Sequence, residues 1–204
     1  MPPASRHEPS PHDRGTFLTR PLTSAVWLDL EDLFNLPGGS VARGCWCMFY
    51  RTSGQALWGQ GVAARRQALC DLAGSGPPPG IIGYLDGSPA GWISLGPRED
   101  FPKLLRSPVM KPVDDTPVWS VVCSFVAVAY RGQGLQHRLL SAAVEFARDS
   151  GASTLEAYPV DKDERHQDEA MWFGSRSLYE NAGFHEVARR SPTRVVMRCE
   201  LGSS

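Results

Sequence analysis

The sequence predicts an α/β fold in one domain from three observations. An apolar, β-branched run over residues 118–128 reads as a buried strand. It passes through Ala129-Tyr130-Arg131-Gly132-Gln133-Gly134, a short turn with two glycines, into Leu135, Leu139, Ala143, Phe146 and Ala147, which recur at the spacing of an amphipathic helix. Asp86-Gly87-Ser88-Pro89 stands between two apolar runs, a strong hairpin signal. Strand-like and helix-like stretches alternate along the rest of the chain, with no internal repeat and no sign of a second domain.

Taken in order, residues 1–15 are rich in proline and lack an apolar segment, so they read as a disordered tail rather than a secretory signal. The domain then occupies residues 16–204. Residues 16–22 form a first strand. Thr23 and Ser24 are N-cap types, and Val26, Leu30, Leu33 and Phe34 share one face of the helix that follows over residues 25–34. Pro37-Gly38-Gly39 stops it. Residues 45–51 read as a strand, and residues 61–73 as a helix with Val62, Arg66, Leu69 and Leu72 near one stripe. The hairpin strands cover residues 81–85 and 90–95. A proline-rich loop over residues 97–117 leads into the central strand. The central helix starts at Gly134, runs to about Ser150 and stops at Gly151. Residues 153–158 give a short strand closed by Pro159. The charged stretch 160–171 is a loop. A helix over residues 172–182 stops at Gly183, and residues 184–189 and 194–201 make a final strand pair.

Composition narrows the function classes. The chain has 204 residues, 42% hydrophobic and 21% charged, with a net charge of −1, which suits one soluble domain with a sizeable core. That near-neutral balance makes no electrostatic case for nucleic acid. The longest apolar run is far short of the roughly 20 residues of a membrane span. The cysteines, Cys45, Cys47, Cys70, Cys123 and Cys199, are odd in number and lack a disulfide-framework spacing, so a reduced cytoplasmic setting is expected. On a strand, Cys45 and Cys47 would share a face about 7 Å apart, too far for a bridge. With no nearby histidine they make a poor zinc site. They read as buried thiols, or, for Cys47, as part of a substrate-pocket wall. No metal is expected.

The glycine turn ahead of the central helix has the layout of an anion cradle. The first amides of a helix lack intrahelical acceptors, and the helix dipole adds about half a positive charge there. Residues 132–137, Gly-Gln-Gly-Leu-Gln-His, lack the third glycine of a dinucleotide fingerprint and the Gly-Lys-Ser/Thr ending of a P-loop. Arg131-Gly132-Gln133-Gly134-Leu135-Gln136, preceded by Val126, instead resembles the acyl-CoA motif of the GNAT N-acyltransferase superfamily, Arg/Gln-x-x-Gly-x-Gly/Ala. Gln136 departs from it, standing where the motif has its last small residue. Leu178-Tyr179-Glu180-Asn181-Ala182-Gly183-Phe184 resembles the family's Leu-Tyr-x-x-x-Gly-Phe helix end. The two blocks span about residues 119–201.

This resemblance implies a strongly twisted mixed sheet with helices on both faces and a splayed central strand pair. It implies acetyl-CoA as acyl donor, with no metal, and N-acetyl transfer to a primary amine by direct attack in a ternary complex. Cofactor contacts fall on Ser124, Phe125 and Val126 of the central strand and on Arg131, Gly132, Gln133, Gly134, Leu135 and Gln136 of the turn. Tyr179 matches the family tyrosine near the CoA sulfur. Compared with the family pattern, the loop over residues 160–171 is an insertion beside the acyl-CoA groove. Glu156, an acid within an apolar strand, reads either as a group of the acceptor site, taking the amine proton directly or through water or binding the ammonium, or as half of a structural salt bridge. Cys47, Phe49, Tyr50 and Trp172 come from segments flanking the groove and are candidates for the acceptor pocket. The implied partner is a small-molecule amine, with neither nucleic acid nor membrane, and a homodimer is compatible with it. Two other readings stay open: a non-catalytic acyl-CoA-binding module, and an acetyltransferase for a protein N-terminus or lysine.

Overall fold

Asp86 and Gly87 both have positive φ, 49° and 81°, the pair of left-handed residues a two-residue hairpin needs. They join β2 (Gly80–Leu85) to β3 (Ser88–Pro97) in a computed structural model that describes residues 15–53, 56–161 and 173–202. β1 (Phe17–Pro21) lies antiparallel to β2, and β4 (Trp119–Val126) lies antiparallel to β3. β5 (Thr154–Ala157) is parallel to β4, and β7 (Arg194–Glu200) is antiparallel to both β5 and the edge strand β6 (His185–Ser191). The described residues thus form a seven-stranded mixed sheet ordered β1-β2-β3-β4-β5-β7-β6.

Helices cover both faces, and the alternation of the strands explains why. Ile82, Trp92, Val122 and Val196 turn to one face. There they pack with Leu30, Leu33 and Phe34 of α1 (Trp27–Asn35), Ala42 of α2 (Ser40–Cys45) and Leu69 of α4 (Gly61–Ser75). The short α3 (Ala56–Gly59) precedes α4. The neighbouring residues Ile81, Ile93, Val121 and Val195 turn to the opposite face. They meet Leu139, Leu140, Ala143 and Ala147 of α6 (Leu135–Asp149) and Leu178 and Tyr179 of α7 (Arg176–Glu180). α6 lies close to the hairpin because two positions beneath it are glycine. A Cβ on Gly83 would come 3.1 Å from Leu139 Cδ1, and one on Gly91 would come 3.3 Å from Leu139 Cδ2.

Several expectations need correction. Residues 45–51 are not a strand: α2 ends at Cys45, and Trp46 and Cys47 follow with φ of 49° and 51°. The run is apolar because Cys45, Trp46, Cys47 and Met48 are all buried, whereas a strand would alternate. Its amides bond locally, Trp46 N–H to the Ala42 carbonyl at 2.7 Å and Met48 N–H to Cys45 at 3.1 Å. Trp46 stacks on Trp27 with ring centres 5.7 Å apart. Thr23 and Ser24 make no side-chain cap; a 3-10 turn over Ser24–Val26 leads into α1. In α4 the buried side chains are Arg65, Leu69 and Ala73, while Val62 stays exposed. The 97–117 loop holds a 3-10 turn and α5 (Pro102–Leu105), pinned by the fully buried Phe101 and Leu104. The helix expected over residues 172–182 is α7, started by the Ser175 hydroxyl, which accepts the Leu178 N–H at 3.3 Å. The disordered tail, apart from Gly15, and most of the 160–171 loop lie outside the described residues. Among the described residues, no helix is long and apolar enough to cross a membrane, and no cluster of His, Cys, Asp and Glu could hold a metal ion.

Candidate active site

β4 and β5 pair at Trp119↔Leu155, Ser120↔Glu156 and Val121↔Ala157, and there the ladder ends. β4 runs on to Val126 along β3 alone. Ala127 N–H donates to the Ala90 carbonyl at 3.1 Å. In an antiparallel ladder successive amides alternate in direction, so those of Ser124 and Val126 face the side where β5 has parted. The expected splay of the central pair is therefore present.

Beyond β4 a 3-10 turn over Val128–Tyr130 leads to Gly132 and Gly134, with φ of 78° and 73°. Gly134 is the residue ahead of α6, and a Cβ on either glycine would meet nothing within 4 Å. The turn thus presents bare backbone to open space. His137 N–H is bonded back to the Gly134 carbonyl at 3.1 Å. The amides of Leu135 and Gln136 stand at the positive end of a 15-residue helix. The Gln136 side chain reaches Ser124 Oγ at 3.3 Å, placing it against β4. Arg131 Nε donates to the Val126 carbonyl at 3.1 Å, tying the turn to the strand end. This edge can receive an extended chain, and the turn can receive an anion.

On the α1–α4 face, a cavity of about 540 Å³ abuts Val122 and Cys123 of β4. Three residues expected in an acceptor pocket, Cys47, Phe49 and Tyr50, line it, while Trp172 lies outside the described residues. Trp58, Phe173 and Arg194 also line it, and sequence reasoning missed all three as site residues. Trp58 and Phe173 carry only the general signal of aromaticity; nothing local marks Arg194. Tyr50 stands edge-on to both Phe49 and Phe173, at 5.0 and 5.3 Å between ring centres. Burial pushes the Tyr50 phenol up to about 12 and the Cys45 thiol up to about 12. Cys47 Sγ accepts the Trp92 indole N–H at 3.1 Å. Hydrogen bonds from Cys123 and Trp92 hold its pKa below the usual thiol value, outweighing burial.

The two expected catalytic residues sit in different settings. Tyr179 is buried against Phe184, ring centres 5.1 Å apart, and desolvation pushes its pKa well above that of a free phenol, with Cys123 adding to the shift. Glu156 is fully buried and does not line the cavity. Its Oε2 accepts from Arg198 Nε at 2.8 Å, and its Oε1 accepts from the Tyr158 hydroxyl at 2.7 Å and lies 3.6 Å from Arg98 Nη1. Of the two readings of Glu156, this geometry is that of the structural salt bridge.

A family model described as the acetyltransferase (GNAT) family matches residues 46–184, well over half of the chain. The chain belongs to the GNAT acetyltransferase family. Solved structures share the fold of this GNAT protein at low identity. A GNAT-family acetyltransferase from Listeria monocytogenes is 13% identical, with a TM-score of 0.53, covering 90% of this chain and 94% of that one. The aminoglycoside acetyltransferase AAC(6′)-Ib in complex with coenzyme A is 16% identical, with a TM-score of 0.53, covering 91% and 95%. A chain of the NatC complex bound to Gag peptide and CoA is 13% identical, with a TM-score of 0.50, covering 91% and 99%. Comparison of the sequence with curated proteins finds no match.

In this GNAT protein, replacing Glu156 by Ala leaves the Arg98 and Arg198 guanidinium groups facing an empty site. Unfolding in urea is expected to show a loss of about 3–5 kcal/mol, the cost of breaking a buried pair. An unchanged midpoint would sink the structural role of Glu156.

Proposed function

We propose that this protein transfers the acetyl group of acetyl-CoA to the primary amine of a small molecule, by direct attack of the amine on the thioester in a ternary complex. The parting of β4 from β5 beside the α6 glycine turn carries this reading. One strand edge leads from the cavity at Cys123 to the turn at Gly134. An extended pantetheine suits a strand edge, and a diphosphate suits a helix N-terminus. AAC(6′)-Ib and NatC, which share the fold, are both known in complex with CoA.

The chemistry has three needs, and the chain supplies groups for two. Amides on the gap side, those of Ser124 and Val126, suit the pantetheine and the thioester oxygen as negative charge grows there. Tyr179 suits the departing sulfur as a hydrogen-bond donor. Full proton transfer from a phenol to a thiolate is uphill by about 1.5 pKa units, or roughly 2 kcal/mol, at reference values, and burial of Tyr179 widens the gap. The third need is a neutral amine. Among the described residues the cavity walls hold neither carboxylate nor imidazole, and in this reading the amine arrives from solution already neutral.

Concave aromatic walls favour a small acceptor over a peptide lying in an open groove. One observation favours a second reading, acyl-CoA binding without turnover: the salt-bridged state of Glu156. Thiol release from acetyl-CoA over an amine panel, against acetyl-CoA alone, separates the two. Amine-dependent release supports transfer, and tight binding with no release supports the second reading.

Three further outcomes are expected. Gly134→Trp fills the open side of the turn, so calorimetry should show acetyl-CoA affinity reduced at least about tenfold, as loss of charge-assisted hydrogen bonds implies; equal affinity would remove the turn from the site. Tyr179→Phe should lower kcat by about 10²-fold with acetyl-CoA affinity retained, and wild-type kinetics would remove its role. The kcat/KM of the wild type should climb about tenfold per pH unit up to the acceptor's own pKa, since only the neutral amine reacts. A plateau set by a carboxylate-like pKa near 4–6 would instead point to a protein base.

A further inference from the structure

We infer that the acceptor amine carries a carboxylate on an apolar or aromatic body, and that Arg194 is the group that receives the carboxylate. This rests on the acyltransferase reading above and specifies its substrate class.

Among the described residues lining the cavity, Arg194 is the one charged side chain. The rest of the wall is Phe49, Tyr50, Trp58, Phe173 and Val122, with thiols and small residues between them. Arg194 is half-buried at the start of β7. Its Nη1 donates to the Tyr158 carbonyl at 2.7 Å, and its Cζ stands 4.9 Å from the centre of the Phe173 ring. These contacts fix the guanidinium plane without neutralising it. On β6 and β7, Arg189 meets Asp161 at 2.5 Å and Glu186 at 2.8 Å, and Arg198 meets Asp114 at 2.7 Å and Glu156 at 2.8 Å, whereas Arg190 donates to the Lys111 and Pro112 carbonyls outside the cavity wall. Arg194 has no carboxylate partner among the described residues, and desolvation lowers its pKa.

A cation turned into an apolar cavity without a counter-charge gains from an anion arriving there. Lys103, whose Nζ lies 3.5 Å from the centre of the Phe49 ring, adds a second positive charge beside the wall. This field opposes a polycation, because bringing further positive charge beside Arg194 costs energy in a low-dielectric site. The aminoglycosides named for AAC(6′)-Ib are therefore poor models for this acceptor, although the folds agree. One guanidinium with one arm on the Tyr158 carbonyl leaves a single edge, which suits a planar two-oxygen anion. A dianionic phosphate calls for a second cation within the wall. The cavity, about 540 Å³, suits a body of one or two rings.

The test uses phenylalanine, tyrosine, tryptophan, methionine and leucine, each with its amide, and kanamycin as a polycation, at saturating acetyl-CoA. At least one free acid is expected to exceed its amide by about tenfold or more in kcat/KM, the size of one charge-assisted hydrogen bond. Arg194→Gln should abolish that preference through KM, and Arg194→Lys should keep part of it. Titrating the matching N-acetyl acid and N-acetyl amide into the CoA complex reads the same preference without turnover. Equal or better use of the amides or of kanamycin overturns the inference. So does a preference that survives in Arg194→Gln, or failure of every N-acetyl acid to bind. If acetyl-CoA does not bind while an N-acetyl acid still binds the free protein better than its amide, the acyltransferase reading falls and the carboxylate seat stands.

Discussion

The buried ion cluster around Glu156 sits at the last rungs that β4 and β5 share. Glu156 is opposite Ser120 on one side and opposite Arg198 on the other. The Tyr158 hydroxyl spans Glu156 and Ser120, at 2.7 and 3.0 Å, and Arg98 approaches from the end of β3. Side chains therefore knit three strands together just before the main chains separate. A gap between parallel strands is useful only if its closed end does not slip. Burying charges is expensive when they are unmatched, so the cluster tolerates few other arrangements of these strands. The carboxylate that looks most like a base thus acts as a clasp.

From that point outwards, β4 serves both sides of the sheet. Val121 packs beneath α6, and its neighbour Val122 borders the aromatic cavity. The simple alternation of a strand therefore holds the helix that carries the glycine turn on one face and the aromatic cavity on the other. The backbone edge between them is where a thioester would meet both. The division explains why helices are needed on both faces: α1, α2 and α4 pack the cavity side, while α6 sets the turn.

Much of this architecture is legible in the sequence because its signals are local. Asp86-Gly87 encodes its own turn, and the residues do adopt positive φ. The strand, glycine turn and helix over residues 118–151 are marked by β-branching, by glycine and by 3.6-residue periodicity, and Gly151 with φ of 85° ends the helix as expected. Residues 45–51 mislead because a left-handed turn buried under Trp27 and Phe34 needs the same apolar run as a strand. The setting of Glu156 depends on Arg98 and Arg198, far away in sequence, so its identity alone left two roles open. Arg194 gives even less warning. It reads as an ordinary strand-start arginine, and only the convergence of Tyr158, Phe173 and the cavity makes it distinctive.

The glycine seam at Gly83 and Gly91 has a bearing on evolution of the turn. Leu139, in the second turn of α6, rests directly on hairpin backbone, so the height of α6 is set near its amino end. The glycine turn then lies about one helical turn from that support, at the tip of β4. Residues of the turn can change identity while the span between the anion end and the sulfur end of a bound cofactor stays gauged by the sheet.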